Sequence, residues 1–179
     1  MKEKKLRGVS LFANVGVAEA YLEEIGVDMK IANDKRRAAQ IVQPKDLNLQ
    51  MMFAECNHLY FNDELKEIPI EFEHNDVNYG EFYYDITPKG IDNCHIKIAD
   101  NHERTKKEYV STLVHEMIHY KIMSEIPQSD IKQALWYKDD GDMETYNKLM
   151  FQDEYVHSDK FKNIASLINK IYDLNIHLR

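Results

Sequence analysis

Residues Thr105 to Ser124 constrain the chain more than any other stretch. Thr105 and Glu108 have the spacing of a capping box, in which each side chain satisfies a backbone N–H left free by the first helical turn. Val110, Leu113, Val114, Met117 and Ile118 follow at helical spacing and collect on one side of a 3.6-residue wheel. Pro127 stops the run. The pattern predicts a long helix from about Thr105 to Ser124, buried on its apolar side. Within it lie His115-Glu116-Met117-Ile118-His119. A helix brings residues i and i+4 onto one face, so the two imidazoles converge, away from the apolar side.

Two converging imidazoles with a glutamate between them are the pattern of a zinc site in which the carboxylate works on water rather than on the metal. The pattern assigns His115 and His119 as ligands of Zn²⁺ and Glu116 as the general base. A catalytic zinc needs a third protein ligand and an open position. His157, at the mouth of the last expected helix, is the leading choice for that ligand. Glu154 is the second and His102, just before the long helix, the third. His58, His74, His95 and His177 read as ordinary surface or hydrogen-bonded histidines.

The rest of the chain supplies a frame for this helix. Asp46 is an expected N-cap for a helix running to about Tyr60, with Leu49, Met52, Phe53, Cys56 and Tyr60 as its stripe. Pro69 to Glu73, Tyr79 to Ile86 and His95 to Ala99 read as three strands forming a meander. The polar stretch from Ser129 to about Phe151 reads as one or two helices. Its acidic residues Asp139, Asp140, Asp142 and Glu144 suggest a solvated insertion, or a lid over the cleft. A last helix begins near Ser158, with Phe161, Ile164, Ala165, Ile168, Ile171 and Tyr172 along its stripe. The order predicts an α+β fold.

Residues 1–43 form a separate first part, divided from 44–179 at Gln43-Pro44, where proline disfavours a continuing helix. That part reads strand (Val9 to Phe12), helix (Ala18 to Ile25, ended by Gly26), strand (Val27 to Ala32), and a short helix capped by Asn33 or Asp34.

Composition narrows the classes. Net charge is −8 over 179 residues, unlike the basic face of a free-standing nucleic-acid binder. Cys56 and Cys94 form no C-x-x-C pair, which excludes a cysteine zinc ribbon and gives no disulfide framework. No apolar run approaches the ~20 residues that cross a bilayer. Met1 to Ser10 is basic but has no apolar signal core. These features predict a soluble, cytoplasmic protein without a membrane partner.

The second part resembles the SprT-like family of zinc metallopeptidases, to which the Spartan-type DNA–protein crosslink proteases belong. The resemblance runs from about Asp46 to Ile176. It is carried by Glu55, Asn57 and Tyr60-Phe61-Asn62, by Leu65 and Ile70, by Gly80, by Ile96-Lys97-Ile98, by the motif at His115 to His119, and by His157-Ser158-Asp159-Lys160-Phe161. Ile168-Asn169 and Leu174-Asn175-Ile176 resemble the family's closing helix and the segment after it. The resemblance implies a zincin-like core, His157 as third ligand, and hydrolysis of peptide bonds in a protein or peptide substrate. Ser158 departs from the family's glycine, and the family's zinc ribbon is missing. Single-stranded DNA is therefore expected to bind weakly, with targeting left to a DNA-bound partner.

The first part is similar instead to the opening of DNA cytosine-5 methyltransferases, through Val9-Ser10-Leu11-Phe12-Ala13-Asn14-Val15-Gly16-Val17-Ala18-Glu19 and Ala32-Asn33-Asp34. Asn14 stands where the first glycine of their S-adenosylmethionine loop belongs, and the Pro-Cys nucleophile is missing, so this fragment is expected to be non-catalytic. Two alternatives to a peptidase follow: a zinc-stabilised interaction module with poor turnover, or an S-adenosylmethionine-binding fragment.

Overall fold

The computed structural model describes residues 40–151 and 157–178. The expectations for residues 9–34, and Glu154, lie outside the described residues. The chain enters through a two-residue strand, β1 (Ile41–Val42), and a 3-10 turn over Pro44–Asp46. Helix α1 (Leu49–Phe61) follows. Its N-cap is Asn48, whose side chain accepts from the Met51 N–H at 3.0 Å. The expected cap, Asp46, is used up in the 3-10 turn that Pro44 begins with its fixed φ. The helix ends at Asn62 in the left-handed region, φ 55°. Asn57 then fastens the following loop: its amide donates to the Leu65 carbonyl at 2.8 Å and accepts from the Leu65 N–H at 3.1 Å.

Strands β2 (Ile70–Glu73), β3 (Gly80–Thr87) and β4 (Gly90–Ala99) form a three-stranded sheet in the order β2-β4-β3. The expected meander is half right. β3 and β4 are an antiparallel hairpin, but β2 pairs with β4 in parallel, Ile70 opposite Ile96 and Phe72 opposite Ile98. The physical reason lies in β4. Ile96 and Ile98 are fully buried, and flanking them on both sides extends the apolar face that the helices cover. The arrangement leaves β3 as an outer strand. A second, two-stranded pairing joins β1 to β5 (Arg104–Thr105), so Ile41 and Val42 hydrogen-bond across the Gln43-Pro44 break to the start of the next helix.

That helix, α2 (Lys106–Ser124), carries the predicted capping box in full. Its buried side holds Tyr109, Leu113, Val114, Met117 and Ile118, all without solvent contact, and it touches β3, β4, α1 and the last helix. Burying each such side chain stabilises the fold by roughly 1.5–3 kcal/mol. The polar stretch that follows is a packed helical pair rather than a loose insertion. Helices α3 (Gln128–Asp139) and α4 (Met143–Phe151) turn at Gly141, φ 84°. Ile131, Ala134, Tyr146 and Met150 join Met123 and Ile126 in a second core, against Tyr84 and Ile86 of β3. The acidic residues sit at the turn, where Asp142 accepts from the Thr145 N–H at 2.9 Å.

Helix α5 (Asp159–Tyr172) is capped by Ser158, which accepts from the Phe161 N–H at 3.2 Å. Phe161, Ile164, Ala165 and Ile168 are buried as the stripe predicts, while Ile171 and Tyr172 are only half-buried. The fold is α+β. Among the described residues no helix is long and apolar enough to cross a membrane.

Candidate metal centre

One turn of α2 separates His115 from His119, and the two rings meet with their Nε2 atoms 3.1 Å apart. His157, immediately before the Ser158 cap, brings its Nε2 to 3.3 Å from that of His115. The donor nitrogens of all three lie within 4.8 Å of one another. Phe161 backs the group: its ring centroid lies 4.8, 4.7 and 4.9 Å from those of His115, His119 and His157. The Ser158 cap thus does two things at once. It starts α5, and it sets the spacing that puts Phe161 beneath His157.

Three imidazole nitrogens are a donor set that a tetrahedral metal could use. Zinc–nitrogen bonds of ~2.05 Å at tetrahedral angles place neighbouring nitrogens ~3.3 Å apart; the two separations from His115, 3.1 and 3.3 Å, lie near that value, and the His119–His157 pair lies within 4.8 Å. Burial, and then the neighbouring His157, push His115 down to about 4. Burial, and then His115, push His119 down to about 3. Both rings are therefore neutral near pH 7, the form in which imidazole offers a lone pair to a metal. The tautomer of His115 is set as well. Its Nδ1 lies 3.0 Å from the main-chain carbonyl of His177. A carbonyl only accepts, so Nδ1 carries the hydrogen and Nε2 faces the other two rings bare.

Glu116 lines the same cleft, a cavity of about 530 Å³ whose other wall is β3. Its side chain is buried beside Gly80. Burial pushes its carboxyl up to about 8, Glu81 adds to the rise, and a hydrogen bond from the backbone of Phe82 opposes it.

Of the residues expected from sequence, His115, Glu116, His119 and His157 come together. His102 does not join them. Its Nε2 sits 3.0 Å from the Asn75 carbonyl and its ring packs on Tyr79. His58 pairs with Asp63 at 2.9 Å, and His95 stacks on Tyr83. His177, read as an ordinary histidine, lines the cleft and supplies the carbonyl behind His115. Glu81 is a second miss, a carboxylate at the cleft held by Tyr83, Asn78 and Asn75. Neither carries a sequence signal: one contribution is a main-chain atom, and the other is a glutamate on an alternating strand. Sequence comparison with protein-family models and with curated proteins gives no match.

Proposed function

We propose that this protein is a zinc-dependent metallopeptidase of the SprT-like type, with a zincin-like core, hydrolysing peptide bonds in protein substrates. The observation that carries the reading is the convergence of three imidazole nitrogens beside a buried carboxyl on the same helix. His115, His119 and His157 would hold the ion. Zinc, when bound, supplies a Lewis acid and lowers the pKa of water. Glu116 is the group placed to take a proton from the attacking water and to deliver it to the leaving amine. Its burial against Gly80 and the Phe82 backbone fixes where that transfer occurs. β3 favours an extended peptide as substrate. It is an edge strand of its sheet and the one at the cleft, which residues 78–84 line, and an edge strand offers unpaired backbone groups to another chain.

Metal analysis combined with proteolysis of a denatured protein substrate, with and without single-stranded DNA, tests the reading. The purified chain is expected to carry one zinc. Glu116→Gln is expected to keep the zinc and lose cleavage by at least ~100-fold. Cleavage that survives Glu116→Gln, or a chain that takes up no zinc, overturns it. Zinc uptake without cleavage by the intact chain favours a metal-stabilised interaction module.

A further inference from the structure

We infer that Leu174–His177 form a strap that orients a metal-ligand imidazole, and that Asn169 is the positioning residue that anchors it; the inference rests on the reading of His115 as a ligand. The chain leaves α5 at Asp173, which adopts the left-handed region at φ 53° and turns the following residues back along the helix. Asn169, one turn before the helix end, grips them twice. Its Oδ1 accepts from the Ile176 N–H at 2.8 Å, and its Nδ2 donates to the Ile176 carbonyl at 3.0 Å. An amide side chain that satisfies both main-chain groups of one residue holds it as a β-ladder partner would. The Ile176 side chain is buried at 2% exposure and pins the same point from the apolar side. One residue earlier, the Asn175 N–H donates to Ser111 Oγ at 3.3 Å. Ser111 lies on α2 one turn before His115, so the strap is tied both to α2, which carries His115 and His119, and to α5, whose cap follows His157.

The consequence falls on the next residue. With Ile176 fixed, the His177 carbonyl is delivered to His115 Nδ1 at 3.0 Å. The bond holds the hydrogen on Nδ1 and sets the ring's rotation about its side-chain axis. Nε2 then carries the lone pair, and it is the atom that faces His119 and His157. Without the strap, the metal-free ring exchanges between tautomers and rotamers, and metal binding has to select one of them. Groups of this kind behind a ligand imidazole typically change metal affinity 10- to 100-fold.

The test measures zinc affinity by competition with a chromophoric chelator, on the full chain and on four variants. Asn169→Ala releases the clasp. A chain ended after Ile176 keeps the clasp and the buried isoleucine but removes the carbonyl. His177→Ala keeps the carbonyl and removes only the imidazole. His115→Ala checks the underlying reading. The expected result is a loss of about 10- to 100-fold for Asn169→Ala and for the shortened chain, with each still folded by circular dichroism. Nitrogen-15 NMR of metal-free protein is expected to show the hydrogen of His115 on Nδ1 in the full chain and shared between both nitrogens in the shortened chain. A merely structural role would not move that signature. If Asn169→Ala does not fold, the shortened chain decides. Affinity within about twofold of the full chain in the shortened chain, with zinc lost in His115→Ala, overturns the strap and leaves the metal site standing. An equal loss in His177→Ala also overturns it, because the effect then belongs to the imidazole. Full affinity in His115→Ala removes the metal reading itself, and the strap with it.

Discussion

Gly80 and Glu116 meet where no side chain fits between them. A Cβ at Gly80 would lie 3.0 Å from Glu116 Oε1, 3.1 Å from Glu116 Cγ and 2.7 Å from Thr112 Cγ2. The glycine is there for space, since its φ is not in the left-handed region. It lets the first residue of β3 close over α2 and walls in the carboxyl. Gly80→Ala is expected to cost about 1–3 kcal/mol of stability. It is also expected to lower Glu116-dependent hydrolysis by ~10-fold or more, because a small displacement of a reacting group is expensive in rate, while zinc content stays at one per chain. Adding Thr112→Ser removes the tightest contact and keeps the hydroxyl that accepts from Arg104 at 3.1 Å, so the double variant should recover part of the loss. Full activity in Gly80→Ala alone would mean that this close approach does not set the position of Glu116.

The third ligand is open to a direct comparison. His157→Ala is expected to weaken zinc binding by well over 100-fold, as loss of one of three protein donors should. Glu154→Ala is expected to change it by less than about threefold, the effect of removing a charge that is not a ligand. Chelator competition on both variants decides. A larger loss for Glu154→Ala would make the site a two-histidine, one-carboxylate centre.

Acid should weaken the start of α2. Hydrogen bonds from the Thr105 backbone and then from its hydroxyl hold the Glu108 carboxyl below its ordinary value. A depressed carboxyl contributes stability that is present above its unfolded pKa, ~4.3, and is lost as pH falls through the lower folded value. Thr105→Ala removes the cap and is expected to cost ~1 kcal/mol near pH 7, which is roughly 2–4 °C in Tm for a chain of this size. Glu108→Gln is expected to fall below wild type near pH 7 and to converge with it below about pH 4. A gap between the two that persists undiminished at pH 3 would show that the charge of Glu108 is not what the box uses.

What the sequence made legible, and what it hid, divides along a physical line. The capping box at Thr105, the Ser158 cap, the buried stripes of α2 and α5 and the grouping of His115, Glu116 and His119 follow from short-range spacing, whereas His157 is the leading choice for a third donor through the resemblance and through the need for one. The parallel pairing of Ile70 with Ile96 does not follow from spacing, because the alternation within a strand is the same whichever neighbour it takes. Asn48 displaced Asp46 as the cap because Pro44 began a tighter turn first. The α3–α4 core escaped notice because Ile131, Ala134, Tyr146 and Met150 are sparse among charged residues and are buried only by each other and by β3. The carbonyl of His177 was invisible in principle, since every residue has one.

β1 bears on where the second part begins. Ile41 pairs with Thr105 and Val42 with Arg104, at the cap of α2. Deleting residues 1–39 is expected to leave a folded chain that binds one zinc. Deleting residues 1–43 is expected to do the same with a Tm lower by a few degrees, since it strips the partner from β5; loss of ~1 kcal/mol corresponds to about 2–4 °C. Equal Tm values would show that β1 contributes nothing to the helix start. An insoluble or zinc-free product from the shorter deletion would make residues 1–39 part of the core.

DNA affinity is the last expectation, and the fold sharpens the argument from charge. Affinity for a polyanion rises with the number of phosphates that Lys and Arg neutralise, and the chain carries 23 basic against 31 acidic residues. The basic patch nearest the site, Arg104, Lys106 and Lys107, does not survive folding as a patch. Arg104 is 5% exposed. Its guanidinium lies over the rings of Tyr109 at 4.1 Å and Tyr79 at 5.1 Å, and it donates to Thr112 and to the Ala99 carbonyl. Lys107 pairs with Asp173 at 2.8 Å. Lys106 remains as an exposed cation, beside the exposed carboxylates of Glu103 and Glu108. One cation yields a salt slope of about 0.7 in magnitude for single strands, far from the steep dependence of a protein that grips several phosphates. A titration with single-stranded DNA at ~150 mM salt is therefore expected to give a Kd weaker than ~10 μM, falling further out of range as salt rises. Sub-micromolar binding would overturn this argument and favour a peptidase that finds DNA-bound substrates unaided. Binding that appears only when a DNA-bound protein is present would assign the targeting to that partner.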